Sequence, residues 1–304
     1  MKPIVFIQAN HRQMLGARIS AFSYRRNSST PDAFDVRILS ARDYPRLMQE
    51  GQTILRAGTV RAWDPDDLQG FTPLRFAPPQ AMGFEGRALV TDPDVFAVGD
   101  VAELFERDLG GKAIWAVPRP GHNDQPDYIA TSVMLLDCAR LKHWRFDQLL
   151  DDLFAHRFDY VDWIELKREE RSTIGHLEPG WNDFDRLTPQ TRLLHTTRRR
   201  TQPWKTGLPV DYTLRERDWL TPVRQLLTRR YHRHPDPRQE ALVYALLAEM
   251  VDRGEITKEE LVAEMAADHI RHDSLELIDR HRGWRPEWQR GERNGLGDGV
   301  AAVA

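Results

Sequence analysis

Two short segments of this chain carry residue types at spacings that could hold a hard cation and balance an anion. In Leu89-Val90-Thr91-Asp92-Pro93-Asp94, two carboxylates stand two residues apart. On an extended segment such residues face the same way, so Asp92 and Asp94 can aim at one divalent ion. Pro93 has no N–H for a sheet ladder, which suits a strand end, and strand ends are where open α/β sheets bind ligands. So short a pattern is also that of a polar turn with two solvated aspartates. The second segment runs Leu193-Leu194-His195-Thr196-Thr197-Arg198-Arg199-Arg200-Thr201-Gln202-Pro203-Trp204-Lys205. A histidine closing an apolar strand is a candidate third ligand, and the arginines after it could neutralise phosphates or a leaving diphosphate. The alternative is a structural histidine beside a solvated basic loop.

The elements that must position these residues follow an α/β pattern up to about residue 200, with short apolar runs alternating with amphipathic stretches. Ile4 to Gln8 reads as a first strand, Met14 to Tyr24 as a helix and Phe34 to Leu39 as a second strand. The strand Arg87 to Thr91 delivers Asp92. Asp100 with Glu103 three residues on resembles an N-terminal cap, opening a helix through about Arg107. Ala113 to Val117 and Tyr128 to Leu136 read as strands around the turn-rich stretch Pro118 to Pro126. A helix is expected from Phe146 to about Phe158, turn formers crowd Gly175 to Pro189, and Arg192 to His195 is a short last strand. Beyond Pro209 the chain reads as charged helices, two of them opened by Asp236-Pro237 and Thr257-Lys258-Glu259-Glu260. The expected division is residues 1–210 as the main domain, 211–290 as a helical appendage and 291–304 as a loose tail.

With 304 residues, 40% hydrophobic and 29% charged, the chain can bury a large core. A formal charge of −3 leaves no global basic field, and aromatics do not interleave with a broad basic surface, so nucleic acid is not an expected partner. The single cysteine, Cys138, excludes an intramolecular disulfide, and a reducing, cytoplasmic setting fits. The N-terminal apolar run is short for a signal peptide, and no segment approaches the ~20 apolar residues of a membrane span. Any lipid-linked or polymeric substrate would be met from the soluble side.

The succession Arg75-Phe76-Ala77-Pro78, then Arg87 through Phe105 with Asp92-Pro93-Asp94 and Gly99-Asp100-Val101-Ala102-Glu103-Leu104, resembles the core of the retaining family 8 glycosyltransferases, the glycogenin and bacterial lipooligosaccharide galactosyltransferase group. Tyr128 to Asp137 resembles that family's Y-F-N-[AS]-G-V-[ML]-L strand, and His195 with Pro203-Trp204 its closing H-[FY]-x-G…K-P-W motif. The resemblance covers about residues 1 to 207. It implies a GT-A nucleotide-diphospho-sugar transferase fold: α/β and Rossmann-like, with a mixed, mostly parallel sheet, here carrying a helical C-terminal appendage. It implies that Asp92, Asp94 and His195 hold a divalent ion, Mn2+ or Mg2+, against the diphosphate of a UDP-sugar. Asp92 would also lie near the ribose and sugar, Asn10 would meet the nucleotide base, and Arg75 would stand near sugar and phosphates. Asp162, in a degenerate counterpart of the family's D-Q-D motif, would contact the sugar.

The chain departs from the family at three positions: Ala130 for the motif's asparagine, Gln202 for its phosphate-binding lysine and Arg198 for a glycine. Arg200 is the expected replacement cation, with Arg199 and Lys205 behind it. The expected activity is transfer of a hexose from a nucleoside diphosphate sugar to a hydroxyl of a saccharide, lipid-linked or protein acceptor, with retention. A catalytically decayed domain that binds a nucleotide sugar or a partner is one alternative. A nucleotidyltransferase, which also uses paired carboxylates and a divalent ion, is another. Asp268, His269, His272 and Asp273 read as a solvated polar helix face rather than a metal site. Trp284 and Trp288 read as a docking patch, and Cys138 as a packed core thiol.

Overall fold

The computed structural model describes residues 1–65, 67, 70–121, 127–211 and 230–289. Its apolar runs form a six-stranded sheet. β1 (Ile4–Ala9) is buried at every residue, because it lies between two strands, β2 (Asp35–Ser40) and β5 (Arg87–Thr91), and pairs in parallel with both. β8 (Tyr128–Asp137) runs antiparallel to β5 and to β7 (Ile114–Arg119). The short β9 (Ile174–His176) closes the far edge parallel to β7. The order β2-β1-β5-β8-β7-β9 is thus mixed, and mostly parallel. Two smaller sheets flank it: the hairpin β3 (Thr53–Arg56) and β4 (Thr59–Ala62), and a three-stranded sheet of β6 (Val95–Ala97), β10 (Asp183–Phe184) and β11 (Leu193–His195).

Alternation along β1 and β5 assigns the two faces of the main sheet. Ile4, Phe6, Ala88 and Val90 belong to one apolar cluster, while Val5, Ile7, Ala9 and Leu89 belong to another with α1 (Met14–Arg26). Gln8 and Asp92 continue the first set by parity, so the polar ends of two neighbouring strands emerge on one face. Short helices α2 (Pro45–Met48), α3 (Pro78–Ala81), α4 (Ala102–Glu106), α5 (Phe146–Phe154) and α6 (Tyr160–Ile164) fill the connections.

Three boundaries differ from the pattern read in the sequence. The helix expected to reach Phe158 stops at Phe154, and His156 takes the left-handed φ of 58° that turns the chain away. The N-cap of α4 is Val101, which makes no side-chain cap bond, and not Asp100, which stands one residue earlier and accepts from Ala102 N at 2.9 Å; the Glu103 carboxylate sits 3.7 Å from Arg192. β7 runs past Val117 through Pro118 because β9 pairs only as far as Ala116, so no ladder on that side needs the missing N–H.

The helical C-terminus contributes α7 (Pro237–Asp252), α8 (Lys258–Ala266) and α9 (Ser274–His281). Asp236 caps α7 through Arg238 N at 3.0 Å, and Thr257 and Glu260 form a full capping box on α8. Their apolar faces do not make a separate core. Leu242, Leu246, Leu247, Leu261 and Ile278 form one cluster with Leu15, Ile19 and Phe22 of α1, Phe96 of β6, Leu194 of β11 and Trp204. Trp284 and Trp288 pack against the same cluster. Arg26 on α1 and Glu249 on α7 clamp the contact at 2.7 Å, largely out of solvent. Cys138 is buried in the first cluster, where burial pushes its thiol up to about 12. None of the helices described is long and apolar enough to cross a membrane. Residues 212–229 and the tail from 290 lie outside the described residues.

Candidate metal and donor site

Asp92 follows the last residue of β5, where its N–H still donates to Ser132 O of β8 at 3.1 Å. Pro93 then ends the ladder, and Val95 N donates to Asp92 O at 3.2 Å to close a tight turn into β6. Helix α1 lies directly on this turn: a Cβ on Gly16 would stand 3.0 Å from Pro93 O, so only glycine leaves the approach unhindered. β6 pairs antiparallel with β11, setting His195 opposite Val95. Thr196 N donates to Asp94 O at 3.1 Å, tying the two segments together. The separation of about a hundred residues between aspartates and histidine is thus closed by one three-residue strand pairing.

The three side chains converge. His195 Nε2 is 3.3 Å from Asp94 Oδ1 and 3.9 Å from Asp92 Oδ2. One ligand atom from each of the three lies within 4.8 Å of the others, the only such trio of metal-ligating groups found among the described residues. Two carboxylates and an imidazole make a donor set that suits a divalent cation. Asp92 also accepts from Gln8 Nε2 and from Arg75 Nε, the latter at 2.9 Å. Arg75, on the turn Thr72–Phe76, reaches Thr131 Oγ1 at 2.9 Å with its other arm. Burial pushes the Asp92 carboxyl above its ordinary range, with Asp94 adding to the effect and the Arg75 and His195 charges opposing it. A site that disfavours its own carboxylate gains from an added cation.

On its other ring nitrogen, His195 Nδ1 lies 2.9 Å from Asn182 Oδ1. The Asn182 amide donates to Ser132 Oγ at 3.0 Å. Asn182 closes the turn Pro179–Asn182 and is fully buried.

The trio opens into a cavity of about 230 Å³ lined by Phe71, Thr72, Arg75, Tyr160, Ile164, Thr197, Arg199 and Gln202, among others. Arg75 and Arg199 supply cationic groups to its wall. Gln202 is buried; its amide nitrogen is 3.4 Å from Asp94 Oδ2, and its carbonyl oxygen has no partner.

Other residues singled out in the sequence lie elsewhere. Asn10 is buried at the end of β1, its Oδ1 accepting from Gln13 N at 3.1 Å and its amide nitrogen unpartnered. Arg200 is half-buried and is not on the cavity wall; its carbonyl accepts from His232 N at 2.7 Å. Lys205 is fully buried and ion-paired with Asp211. Burial pulls the Lys205 ammonium down, against the attraction of Asp211. Asp162 is half-exposed and paired with Lys167 at 3.3 Å; Tyr160 and Ile164, on the same helix, line the cavity. Ala130 is buried in β8. Asp268 and His272 form a surface pair at 2.7 Å, while His269 bonds Glu264 at 2.8 Å, so these groups do not converge. Thr131 and Ser132 lie in the strand that resembles a family motif, which implies no role for them, and Gln8, Tyr160 and Asn182 join the site through sheet register and turn packing.

No family model matches the chain, and no curated protein matches it. Solved structures similar in chain path include a galactosyltransferase, LgtC, in complex with donor and acceptor sugar analogues, at 12% identity over 67% of this chain and 90% of that one, TM-score 0.47. The glycosyltransferase GlyE of Streptococcus pneumoniae TIGR4 is similar at 17% identity over 84% of this chain and 64% of that one, TM-score 0.49. The bifunctional glycosyltransferase WbbM is similar at 14% identity over 66% of this chain, which spans 46% of that one, TM-score 0.48.

Proposed function

We propose that the chain is a glycosyltransferase that moves a hexose from a nucleoside diphosphate sugar, a uridine one, to a hydroxyl acceptor. The observation that carries this reading is the convergence of Asp92, Asp94 and His195 in a cavity whose wall carries Arg75 and Arg199. Asp92, Asp94 and His195 would hold a divalent cation, manganese or magnesium, which supplies Lewis-acid stabilisation of the departing diphosphate. Arg75 is held by Asp92 and Thr131 beside the position of the sugar and phosphates. Arg199 offers a forked donor that meets two phosphate oxygens at once. Both act where negative charge grows in the transition state, which is where electrostatic catalysis concentrates. At about 230 Å³ the cavity is smaller than the ~300–1,000 Å³ of whole small-molecule sites, so it takes the sugar and diphosphate end of the donor. Asn10 is the base contact in this reading.

Asp92 and Asp94 are the only carboxylates among the described lining residues, and both belong to the cation site. The reading therefore assigns no carboxylate nucleophile; retention enters it from the family resemblance, with a leaving-group phosphate as the local base for the acceptor hydroxyl. Asp162, on the helix whose Tyr160 and Ile164 line the cavity, is the sugar or acceptor contact in this reading. The neutral Gln202 on the wall favours a second reading, a domain that binds the nucleotide sugar without turnover. The setting proposed is cytoplasmic.

Thermal shift with UDP and UDP-hexoses, with manganese or with chelator, tests the reading, together with detection of free UDP. A donor at ~100 times its dissociation constant should stabilise the fold by about 2.7 kcal/mol when manganese is present. Equal stabilisation in chelator would overturn the cation site, and pyrophosphate in place of UDP would point to nucleotidyl transfer. Donor binding with no UDP release would leave the binding domain. Asp94→Asn should remove the manganese-dependent part while the melting temperature without ligand stays within a few degrees of wild type.

A further inference from the structure

The histidine of the cation trio has two ring nitrogens, and only one can serve the cation. A neutral imidazole carries one proton, and the nitrogen that keeps it cannot be a ligand. His195 Nε2 faces the carboxylates, 3.3 Å from Asp94 Oδ1. His195 Nδ1 faces the Asn182 side chain at 2.9 Å. The Asn182 amide turns its oxygen toward the imidazole and its nitrogen toward Ser132. Asn182 presents its NH2 group to Ser132 Oγ at 3.0 Å, which leaves the carbonyl oxygen for the imidazole. A carbonyl oxygen only accepts, so in this orientation of the amide Nδ1 carries a proton and donates it. When the ring is neutral, the Nε2 lone pair is then left free and aimed at the space between Asp92 and Asp94.

From this geometry we infer that Asn182, held by Ser132, is a positioning residue that fixes the tautomer and the ring plane of His195 for cation binding. The inference rests on the cation site proposed above. Its physical basis is general: a ligating imidazole is oriented by the acceptor on its other nitrogen, and losing that acceptor typically weakens metal binding 10- to 100-fold. Several features place Asn182 in that role rather than in turn-making alone. It is fully buried, so water cannot replace the acceptor it offers. Its backbone carbonyl accepts from the Arg119 guanidinium, which stacks on the Phe184 ring at 3.9 Å. Phe184 in turn meets the His195 ring edge-on at 5.1 Å. Ser132 thus holds the side chain and Arg119 its backbone carbonyl, while Oδ1 meets His195.

Manganese binding to the full chain, followed by electron paramagnetic resonance without any nucleotide, reads the role separately from turnover. Asn182→Leu, similar in shape but with no acceptor, should weaken manganese binding at least tenfold. Asn182→Asp keeps an acceptor oxygen toward Nδ1 and should stay within about threefold of wild type. A Leu variant that is folded and binds manganese as wild type does would overturn the inference, as would an Asp variant as weak as the Leu variant. A measurement on the unaltered protein decides the matter even if the Leu variant does not fold. Long-range proton–nitrogen spectra of the histidine-labelled, metal-free chain should show a proton on His195 Nδ1, and a ring that carries its only proton on Nε2 would overturn the inference. Wild type that binds no manganese while showing the Nδ1 proton would sink the proposed cation site and leave the orientation by Asn182 standing.

Discussion

Arg199 and Arg200 are neighbours of one chemical type, yet the fold gives them different surroundings. Arg199 lines the cavity beside Asp94 and His195, whereas Arg200 lies off its wall. Lys205, a third cation of the same loop, is fully buried and matched by Asp211. If the cavity receives a diphosphate, the cation on its wall should matter most for the charge that develops in transfer. Arg199→Ala should lower kcat by about tenfold or more with a smaller change in donor affinity, since it removes an interaction strongest in the transition state. Arg200→Ala should stay within about threefold of wild type. Steady-state kinetics of UDP release for the two variants checks this, and equal losses would place the loop's charge in bulk attraction rather than in one contact. Lys205→Ala is a poorer probe, because it strands Asp211 partly buried and perturbs the fold itself.

The element that carries Asn182 is a short turn, Pro179–Asn182, packed against the strand that ends in His195. Arg192 N donates to Gly180 O at 2.8 Å, joining this turn to the start of β11. A Cβ at Gly180 would stand 2.2 Å from Gln190 O, a backbone atom that cannot rotate away. Gly180→Ala must therefore push two backbone segments apart, at a cost on the order of 1–3 kcal/mol as for other overpacked sites. The same shift moves Asn182, so manganese binding should weaken along with the melting temperature. A melt unchanged within a degree would show that the turn and β11 separate freely. α8 illustrates the opposite kind of element. Its start is specified by Thr257 and Glu260, which bond each other's backbone N–H at 3.0 and 2.8 Å, just as their three-residue spacing indicates.

Across the whole molecule, the C-terminal helices and the sheet domain share apolar burial. The cluster that joins α7 to α9 takes in Phe22 of α1, Phe96, Leu194 and Trp204, each at most 1% exposed. Deleting the chain from Asp211 onward would bare these side chains and leave Lys205 buried without its counter-charge. The truncated protein should bind a hydrophobic dye, elute as an aggregate and lose transfer activity. A truncated chain that is monomeric, melts cooperatively and keeps activity would make the helical part an independent appendage, the division first drawn from the change in sequence character near Pro209.

What the sequence determined by itself is what nearest neighbours decide. Asp92 and Asp94 share a direction because they are two apart on an extended segment, Pro93 ends a strand because it lacks an N–H, and Asp236 and Thr257 open helices because their side chains reach donors two or three residues on. Apolar periodicity gives β1, α1, β2, β5, β7, β8, α5 and β11 in the same way, while β3, β4, β6, β9 and β10, of two to four residues each, are too short to show a period. The tertiary structure decided the rest, because the contacts that complete the site span 84 residues from Gln8 to Asp92, 50 from Ser132 to Asn182 and 13 from Asn182 to His195. No local pattern encodes a bond across such distances; register, turn packing and the β6–β11 pairing create it. They also chose among like residues, setting Arg199 on the cavity wall and sealing Lys205 inside the protein, since burial and charge matching act on position in space and not on position in the chain.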